Sequence, residues 1–316
     1  MEKVAIFVLN WNGMAIKYKD SPILESCLRS LIKTTKRHNI KILVEDRESQ
    51  DESWNFIKSN FKDVDILSIE GTSIPYSHNF ALEYAFRKYK DIKYVLFIQN
   101  DIIFEDDNWL DKILEAARKN KKAGIITPTL YYPDGKVQHA GSFLTRIGEP
   151  MTYKSDKLGN RYVFSAIGAF VFIKKEVFQK IGLFDETYVA HHEDTDFCER
   201  ARRAGYLTYH IDGTRIIHLE GYSSMKTNIN ITRNKWPKGA LMFYGFRSNF
   251  VFLLRYRKIL LFSNLAMRLL QSFISVYPKF KIRNPNEIYV RVVTLYKAFG
   301  SALLQYKTTN IPKIEN

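Results

Sequence analysis

The first 130 residues alternate short apolar runs with longer segments whose apolar residues recur every three or four positions. A short apolar run between polar residues is typical of a strand buried on both faces, and the longer spacing is typical of an amphipathic helix. Strands are predicted at 4–9, 40–44, 64–69, 94–98 and 123–127, and helices at 23–35, 53–61, 79–89 and 108–120. This alternation indicates an α/β fold with a mostly parallel sheet flanked by helices.

Polar or aromatic residues directly follow three of the predicted strands. They are Asn10, Trp11, Asn12, Asp46, Asn100 and Asp101. Ligands of such sheets bind beyond the carboxyl ends of the strands, where residues from neighbouring strands meet. The sequence therefore predicts a ligand site at this edge.

Beyond residue 128 the pattern changes to shorter, less regular segments. Strands are predicted at 164–173, 206–211 and 215–218, and helices at 175–181 and 193–204. Three further helical patterns lie at 240–255, 259–277 and 287–306. We expect an α/β domain over 1–238 and a basic, aromatic-rich helical region over 239–316.

The helix predicted at 193–204 begins with crowded ionisable residues. They are His191, His192, Glu193, Asp194, Asp196 and Glu199. Acids at a helix start are stabilised by the helix dipole, so an acidic first turn of no further role is one interpretation. Crowding also raises carboxyl pKa values, which suits a general base, and this is the other interpretation. For Asp196 and Glu199 we favour ordinary helix and surface charges.

The net charge of +15 is unevenly distributed. Residues 221–316 contain 16 Lys and Arg against two acids, a net charge of +14, so the rest of the chain is nearly neutral. Such asymmetry indicates a polyanionic partner for the C-terminal region. Nucleic acid is the weaker candidate, because no known binding module is recognisable there.

Several motifs occur in the order of a known family. They include LNWNG at 9–13, QND at 99–101, GLFDE at 182–186, ED at 193–194 and IH at 217–218. In these motifs, and in the segment 43–53, the chain resembles inverting family 2 glycosyltransferases of the GT-A fold, in their rhamnosyltransferase-like branch. The resemblance runs from about residue 4 to residue 224.

This resemblance implies transfer of a sugar from a nucleotide-sugar donor to a glycan or lipid-linked acceptor. Asp194 would be the general base, with Glu193 beside it in the site. Asp101 and His218 would bind a divalent metal, Mg or Mn, that neutralises the departing diphosphate. A turn-capping role for Asp101 and a structural role for His218 are the alternatives.

The resemblance also implies a set of donor-binding residues. They are Asn10, Trp11, Asn12, Asp46, Asn79 and Asn100. Asp46 would accept hydrogen bonds from the nucleotide base, unless it is only a turn residue. Trp11 either stacks on the base or lies in the core.

The chain departs from the family pattern near the donor. Glu45 places a charge where the family has an apolar residue, Arg47 replaces a common Asn or Asp, and Glu52 replaces a glycine. Within 70–80 only Asn79 keeps a familiar place. These departures leave the donor's identity open. They also motivate an alternative, a glycosyltransferase-like chain without activity that binds a glycan or partner.

The helix predicted at 259–277 has many apolar positions, with Arg255, Arg257, Lys258 and Arg268 among or beside them. It is either a core helix or a helix lying on an anionic membrane surface. We expect a cytoplasmic protein. In the second case it would be peripheral on the inner face of the membrane, and its acceptor would be lipid-linked.

Overall fold

The computed structural model of the protein describes residues 2–71, 73–220, 239–275 and 281–314. The last part of the predicted α/β domain, residues 221–238, lies outside the described residues. The strands are β1 Lys3–Asn10, β2 Lys17–Tyr18, β3 Ser21–Pro22, β4 Asn39–Asp46, β5 Val64–Ser68, β6 Ile92–Gln99, β7 Ile102–Phe104, β8 Ala123–Tyr131, β9 Val137–His139, β10 Ser142–Leu144, β11 Pro150–Thr152, β12 Arg161–Val163, β13 Phe170–Lys174, β14 Leu207–His218, β15 Ile274–Ser275 and β16 Lys281–Ile282. The helices are α1 Ile23–Thr35, α2 Ser53–Asn60, α3 Ile74–Lys88, α4 Trp109–Lys119, α5 Lys175–Ile181, α6 Glu193–Arg203, α7 Ala240–Tyr256, α8 Leu261–Phe273 and α9 Pro285–Gln305.

The main sheet has the strand order β12-β14-β8-β13-β6-β1-β4-β5. Its N-terminal half, β6-β1-β4-β5, is parallel as predicted. β13 is antiparallel to both β6 and β8, and β14 runs parallel to β8 but antiparallel to β7. The α/β class is confirmed, and the sheet is mixed.

Strand β1 shows why helices cover both faces. Alternate side chains of a strand point to opposite faces. Val4, Ile6 and Val8 pack in a core with α1 and α4, whereas Ala5 and Phe7 pack in a second core with α3, α5 and α6. A continuous apolar run is what a strand between two cores requires.

Several elements differ from their predicted bounds. The strand predicted at 164–173 begins only at Phe170. The helix predicted at 259–277 is a 3-10 turn at Lys258–Leu260 followed by α8, which ends at Phe273 because Ile274 and Ser275 pair with β16. Helix α3 begins at Ile74, before the predicted start at Asn79, because Ser73 caps it by accepting a hydrogen bond from the Tyr76 N–H and Pro75 occupies its first turn. The strands predicted at 206–211 and 215–218 form one strand, β14, whose register with β8 shifts between Ile211 and Ile216.

The C-terminal helices pack on the α/β unit. Phe250 and Val251 of α7 share a small core with Ala298 of α9 and with Tyr188 from the α/β unit. At the chain end, the Pro312 carbonyl accepts a hydrogen bond of 2.9 Å from the Leu183 N–H. In the described residues no helix is long and apolar enough to cross a membrane.

Candidate active site

The carboxyl ends of β1, β4 and β6 meet in a network of polar side chains, as predicted. Asn10 Nδ2 donates to Asp46 Oδ1 at 2.7 Å, and Asn10 Oδ1 accepts from Asn100 Nδ2 at 2.6 Å. Ser49 donates its hydroxyl to Asp46 Oδ1 at 2.6 Å and its N–H to Asp46 Oδ2 at 3.1 Å. Asn10, Asp46 and Asn100 are therefore held in one rigid cluster.

The loop after β1 closes tightly over this cluster. A Cβ atom on Gly13 would lie 2.6 Å from Asn100 Nδ2, so only glycine fits there. Asn12 accepts a hydrogen bond from the Gln50 N–H at 2.7 Å through its side-chain oxygen. Trp11 is half-buried in the same loop. Asn10 and Asn100 are thus linked to Asp46, and Asn12 is tied to the segment that follows Asp46.

Asn79 lies elsewhere. Its amide donates to the Phe184 carbonyl and to Glu186, and its oxygen accepts from the Phe184 N–H, all at 2.9 Å. The side chain is buried and ties α3 to the loop after α5. The structure does not bring Asn79 together with the other predicted donor residues.

Asp101 and His218 face each other at the end of β6. The Asp101 carbonyl accepts a 3.0 Å hydrogen bond from the Leu219 N–H, which sets the end of β14 beside it. Asp101 Oδ1 lies 3.4 Å from His218 Nε2 and has no hydrogen-bond partner among the described residues. Two buried side chains therefore point polar atoms at each other without a hydrogen bond between them.

Residues behind His218 fix which of its ring nitrogens carries hydrogen. Gln138 Nε2 donates to Glu220 at 2.9 Å, so Gln138 Oε1 is the atom that faces His218 Nδ1, at 2.6 Å. An amide oxygen only accepts, and Nδ1 must therefore be the donor. In neutral His218 this leaves the Nε2 lone pair directed at Asp101 Oδ1. A metal-ligating histidine usually donates the N–H of its other ring nitrogen to an acceptor in this way.

These atoms fit a divalent cation between Asp101 and His218. A carboxylate oxygen and an imidazole nitrogen are both suitable ligands for Mn²⁺, and the carboxylate suits Mg²⁺. Among the described residues no three His, Cys, Asp or Glu side chains come close enough to hold an ion by themselves. Of the described residues, Asp101 and His218 could therefore supply two ligands to such an ion.

A cavity of about 710 Å³ opens beside Asp101 and His218. Gly168, Glu193 and Asp194 form part of its lining. The same lining includes residues of α7 and α8 that no sequence motif indicated: Leu241, Met242, Gly245, Phe246 and Arg268. The C-terminal helices are therefore a wall of the site.

Asp194 is held in this cavity by both carboxylate oxygens. Oδ2 accepts a 2.7 Å hydrogen bond from the Gly168 N–H, and Oδ1 accepts bonds of 2.6 and 3.1 Å from the N–H and hydroxyl of Thr195. Burial raises the pKa of Asp194, although the bonds from Thr195 and Gly168 oppose the shift. A carboxylate with a raised pKa is a stronger base.

Glu193 lies next to Asp194 in an unusual electrostatic setting. Its Oε2 atom is buried and has no hydrogen-bond partner among the described residues. Burial, and secondly the charge of Asp194, raise the pKa of Glu193, while the Arg47 charge lowers it. Glu193 and Asp194 titrate as a pair, and the second of them to ionise does so at an unusually high pH.

His191 and His192 set the start of α6. Both have positive φ angles, 63° and 66°, which residues other than glycine seldom adopt. His192 Nε2 lies 3.2 Å from Asn249 Nδ2 of α7, and burial, with smaller contributions from His191 and Arg268, lowers its pKa to about 3. His192 is thus a neutral acceptor that joins the α6 start to α7.

The departures from the family pattern come together in space. Glu45 is fully buried and its Oε2 atom lies 2.7 Å from His78 Nδ1, so the charge on β4 has its partner within the divergent segment 70–80. Arg47 lines the cavity two residues further on. Burial lowers the pKa of Arg47, whereas the charges of Glu45 and Glu193 raise it. Glu45 and His78 are 33 positions apart, and no local pattern in the sequence indicates that they pair.

Asp196 and Glu199 are not surface charges, contrary to the prediction. Both are fully buried. Asp196 accepts hydrogen bonds from Tyr256 at 2.8 Å and Arg200 at 2.7 Å, and Glu199 lies 3.0 Å from Arg257. They anchor the C-terminal helices to α6.

Solved structures with this architecture support its class. GalNAc-T7 with UDP, GalNAc and Mn²⁺ superposes with a TM-score of 0.60 and 11% identity, over 96% of this chain and 56% of that chain. S. aureus TarS 1-349 superposes with a TM-score of 0.50 and 12% identity, over 99% of both chains. The chain has the GT-A glycosyltransferase fold.

The sequence defines the family. The profile described as Glycosyl transferase family 2 matches residues 16–182, and the chain belongs to this family and is a glycosyltransferase. The matched segment contains Asp46 and Asp101 but ends before Asp194 and His218.

Three curated relatives are similar at low identity. The N-acetylglucosaminyl-diphospho-decaprenol L-rhamnosyltransferase of Mycobacterium tuberculosis is 24% identical over 67% of this chain and 76% of its own length. The dTDP-rhamnosyl transferase RfbF of Shigella flexneri is 26% identical over 71% and 74%. The O-antigen biosynthesis protein RfbC of Myxococcus xanthus is 25% identical over 67% of this chain, and the match spans only 17% of that protein.

Proposed function

We propose that the protein transfers a sugar from a nucleotide-sugar donor to an acceptor hydroxyl with inversion, and that Asp194 is the general base. The observation that carries the proposal is the position of Asp194. Its carboxylate lines the same cavity as Asp101 and His218, has a raised pKa, and is fixed by the Gly168 N–H. A base held in this way can take a proton while the leaving group departs on the side of Asp101.

The step balances without an oxidant or reductant. The acceptor oxygen forms a bond to the anomeric carbon as the bond from that carbon to the diphosphate oxygen breaks. The acceptor proton passes to Asp194, and the electron pair leaves with the nucleoside diphosphate. Glu193, kept protonated by its burial and by the charge of Asp194, would donate a hydrogen bond to a substrate hydroxyl.

Asp101 Oδ1 and His218 Nε2 would hold a divalent Mg or Mn ion together with the donor diphosphate. Such an ion supplies Lewis-acid neutralisation of the departing diphosphate. Gln138 keeps the His218 lone pair directed at this position. Asp101 and His218 are therefore proposed as the protein's own contribution to leaving-group binding.

The nucleotide would bind at the network of Asn10, Asp46 and Asn100, with Trp11 and Asn12 on the loop above it. Asn79 is left out of this proposal, because its amide makes its hydrogen bonds to Phe184 and Glu186. The mycobacterial and Shigella relatives are both named as rhamnosyl transferases, and the Shigella protein is named for dTDP-rhamnose, which is therefore the first donor to test. Arg47 would lie towards the donor sugar or phosphates, since it reaches the cavity from the end of β4.

The acceptor would be a glycan or a lipid-linked saccharide. The mycobacterial relative is named for a decaprenol-linked acceptor. In this chain the cavity wall formed by Leu241, Met242 and Phe246 is apolar. Such a wall suits the face of a sugar ring or the start of a lipid.

Replacement of the base tests the proposal. In Asp194→Asn we expect transfer to fall about 10²- to 10⁴-fold, the usual contribution of a general base. Stabilisation against heat by dTDP with Mn²⁺ should persist, because Asp194 lies apart from the Asp46 network. Asp134→Asn, which changes an exposed turn residue, is the control. Full activity in Asp194→Asn would overturn the assignment.

A further inference from the structure

Helix α8 exposes several large apolar side chains, whereas its polar residues Asn264 and Ser272 are buried. Phe262, Leu269, Leu270 and Phe273 lie on one helical face and are exposed, Phe262 to 84%. In an ordinary surface helix the apolar side chains face the core and the polar side chains face the solvent. The exposed face of α8 therefore has the composition that is usual for the core-facing side of a surface helix.

The polar residues Arg268 and Asn264 of α8 form contacts inside the protein. Arg268 forms an ion pair with Glu149 at 2.7 Å and lies over the Phe246 ring. Asn264 is buried and donates to the Ile147 carbonyl at 2.9 Å. Arg268 is the only charged residue of α8, so the outward face carries no charge.

The exposed face continues at both ends of α8. Ile259, just before the helix, is 88% exposed, and Ile282, on the strand pair after it, is 73% exposed. The Arg283 N–H donates to the Phe273 carbonyl at 2.9 Å, which holds Ile282 near the end of the helix. We call this set the apolar face: Ile259, Phe262, Leu269, Leu270, Phe273 and Ile282.

We propose that the apolar face inserts into the surface of an anionic phospholipid bilayer. The inference rests on the proposed function, because a bilayer would present the lipid-linked acceptor. Exposed apolar side chains combined with nearby cations are what an interfacial helix requires. The partner is a lipid surface because apolar insertion and cationic attraction act there together.

The charge around the apolar face selects this occupant. Between residues 239 and 314 the sequence has one acid, Glu287, and it lies 3.7 Å from Arg283. Lys258 adjoins Ile259 and is exposed, as is Lys307, and the ammonium groups of both lie over the Tyr306 ring. A second copy of the protein would bring the same cations and repel, whereas anionic headgroups would attract them.

The apolar face is also close to the catalytic cavity. Arg268 lines the cavity from the inner side of α8, and Phe262 and Leu270 lie on its outer side. A helix is about 10 Å across, so this is the distance between the bilayer surface and the cavity wall. Insertion would bring the sugar of a lipid-linked acceptor within reach of Asp194.

Vesicle sedimentation tests the proposal. The full chain should sediment with vesicles of phosphatidylglycerol and phosphatidylcholine. Phe262→Glu/Leu270→Glu should reduce bound protein about tenfold or more, because two charges would have to enter the interface. Trp54→Glu, at an exposed aromatic on α2, is the matched control and should bind like the parent.

Two further measurements separate the outcomes. Undiminished vesicle binding by the double variant would overturn the proposal, as would a parent dimer in light scattering that the variant splits while neither binds vesicles. Stabilisation by dTDP with Mn²⁺ and donor hydrolysis should be unchanged in the double variant. Vesicle binding without any transferase activity would instead count against the proposed function alone.

Discussion

In residues 1–220 basic and acidic side chains nearly balance, whereas residues 221–316 carry a net charge of +14. The structure shows that this contrast overstates the charge left for a partner. Arg255 pairs with Asp185 at 2.7 Å, Arg257 with Glu199 at 3.0 Å, and Arg268 with Glu149 at 2.7 Å. Several C-terminal cations therefore hold that region against acids of the α/β unit.

The two regions use buried charge differently. In the cavity, Glu193 and Asp194 are carboxyls whose pKa is raised by burial, so their charged forms are costly in the folded protein. At the C-terminal interface burial opposes ionisation of Asp185, but bonds from Thr187 and the Arg255 charge hold its pKa below the usual value. The carboxyls of the cavity can therefore take up and release protons in the chemistry, whereas the carboxylate at the C-terminal interface is compensated by its partners.

The largest effect should come from the cavity side. Asp101→Ala should lower transfer about 10³-fold, because several kcal/mol of leaving-group stabilisation would be lost. The melting temperature should hardly change, and the Mn²⁺ concentration for half-maximal activity should rise. Asp107→Ala, an exposed acid of the same segment, is the control. Equal activity of the two variants would show that Asp101 only caps its turn.

Removal of an interface cation should affect stability more than chemistry. Arg255→Met removes the cation that pairs with buried Asp185 and also lies near buried Asp196. Because a buried carboxylate would lose its partner, the free energy of unfolding should fall by about 3 to 5 kcal/mol. Denaturant unfolding measures this. Lys297→Met, at an exposed cation of α9, should cost little. If both variants lose the same amount, the C-terminal region is not held by its buried pairs.

Gln138→Leu tests the support of the metal site. It removes the acceptor that fixes His218 Nδ1, and should weaken Mn²⁺ binding about 10- to 100-fold in the presence of nucleotide. Titration of activity with Mn²⁺ measures this. The unfolding midpoint without metal provides a check on folding. Unchanged Mn²⁺ dependence would remove His218 from the proposed ligand set.

The smallest effect is a difference in pH dependence. The pKa of Glu193 is raised, so the folded protein binds more protons, and stability falls as pH rises from the unfolded pKa of about 4 towards the raised value. Glu193→Gln should therefore gain stability relative to the parent as pH rises from 5 towards 8, by up to about 1.4 kcal/mol for each pH unit.

Asp185 has the opposite sign. Its pKa is lowered, so the stability it contributes is present above about pH 4 and is lost as pH falls through the folded value. Unfolding of the parent, Glu193→Gln and Asp185→Asn across pH separates the two. A Glu193→Gln curve parallel to that of the parent would contradict the raised pKa.

The parts predicted from sequence are those set by local spacing. The alternating strands and helices follow from apolar periodicity, and the meeting of Asn10, Asp46 and Asn100 follows from the carboxyl ends of adjacent parallel strands. Residues whose partners lie far along the chain could not be placed. Asn79 meets Phe184 over 105 positions, and His218 meets Gln138 over 80.

The acids of α6 show the same limit. In the sequence, Asp196 and Glu199 have the spacing of a solvated helix face, and nothing nearby indicates their burial. Their burial depends on Tyr256 and Arg257, about 60 residues later. The cavity wall of α7 and α8 was missed for a related reason, because apolar helical spacing looks the same in a core and in a binding wall.

The bond from the Gly168 N–H to Asp194 has a consequence for how the site tolerates change. The anchor of the base is a main-chain group, so it does not depend on which side chain stands at position 168. A Cβ atom there would lie 3.5 Å from Asp194 Oδ2, an ordinary contact. Alanine would keep the anchor, whereas proline, which lacks the N–H, would remove it. Position 168 can thus be redesigned to reshape the acceptor pocket while the reacting carboxylate stays in place.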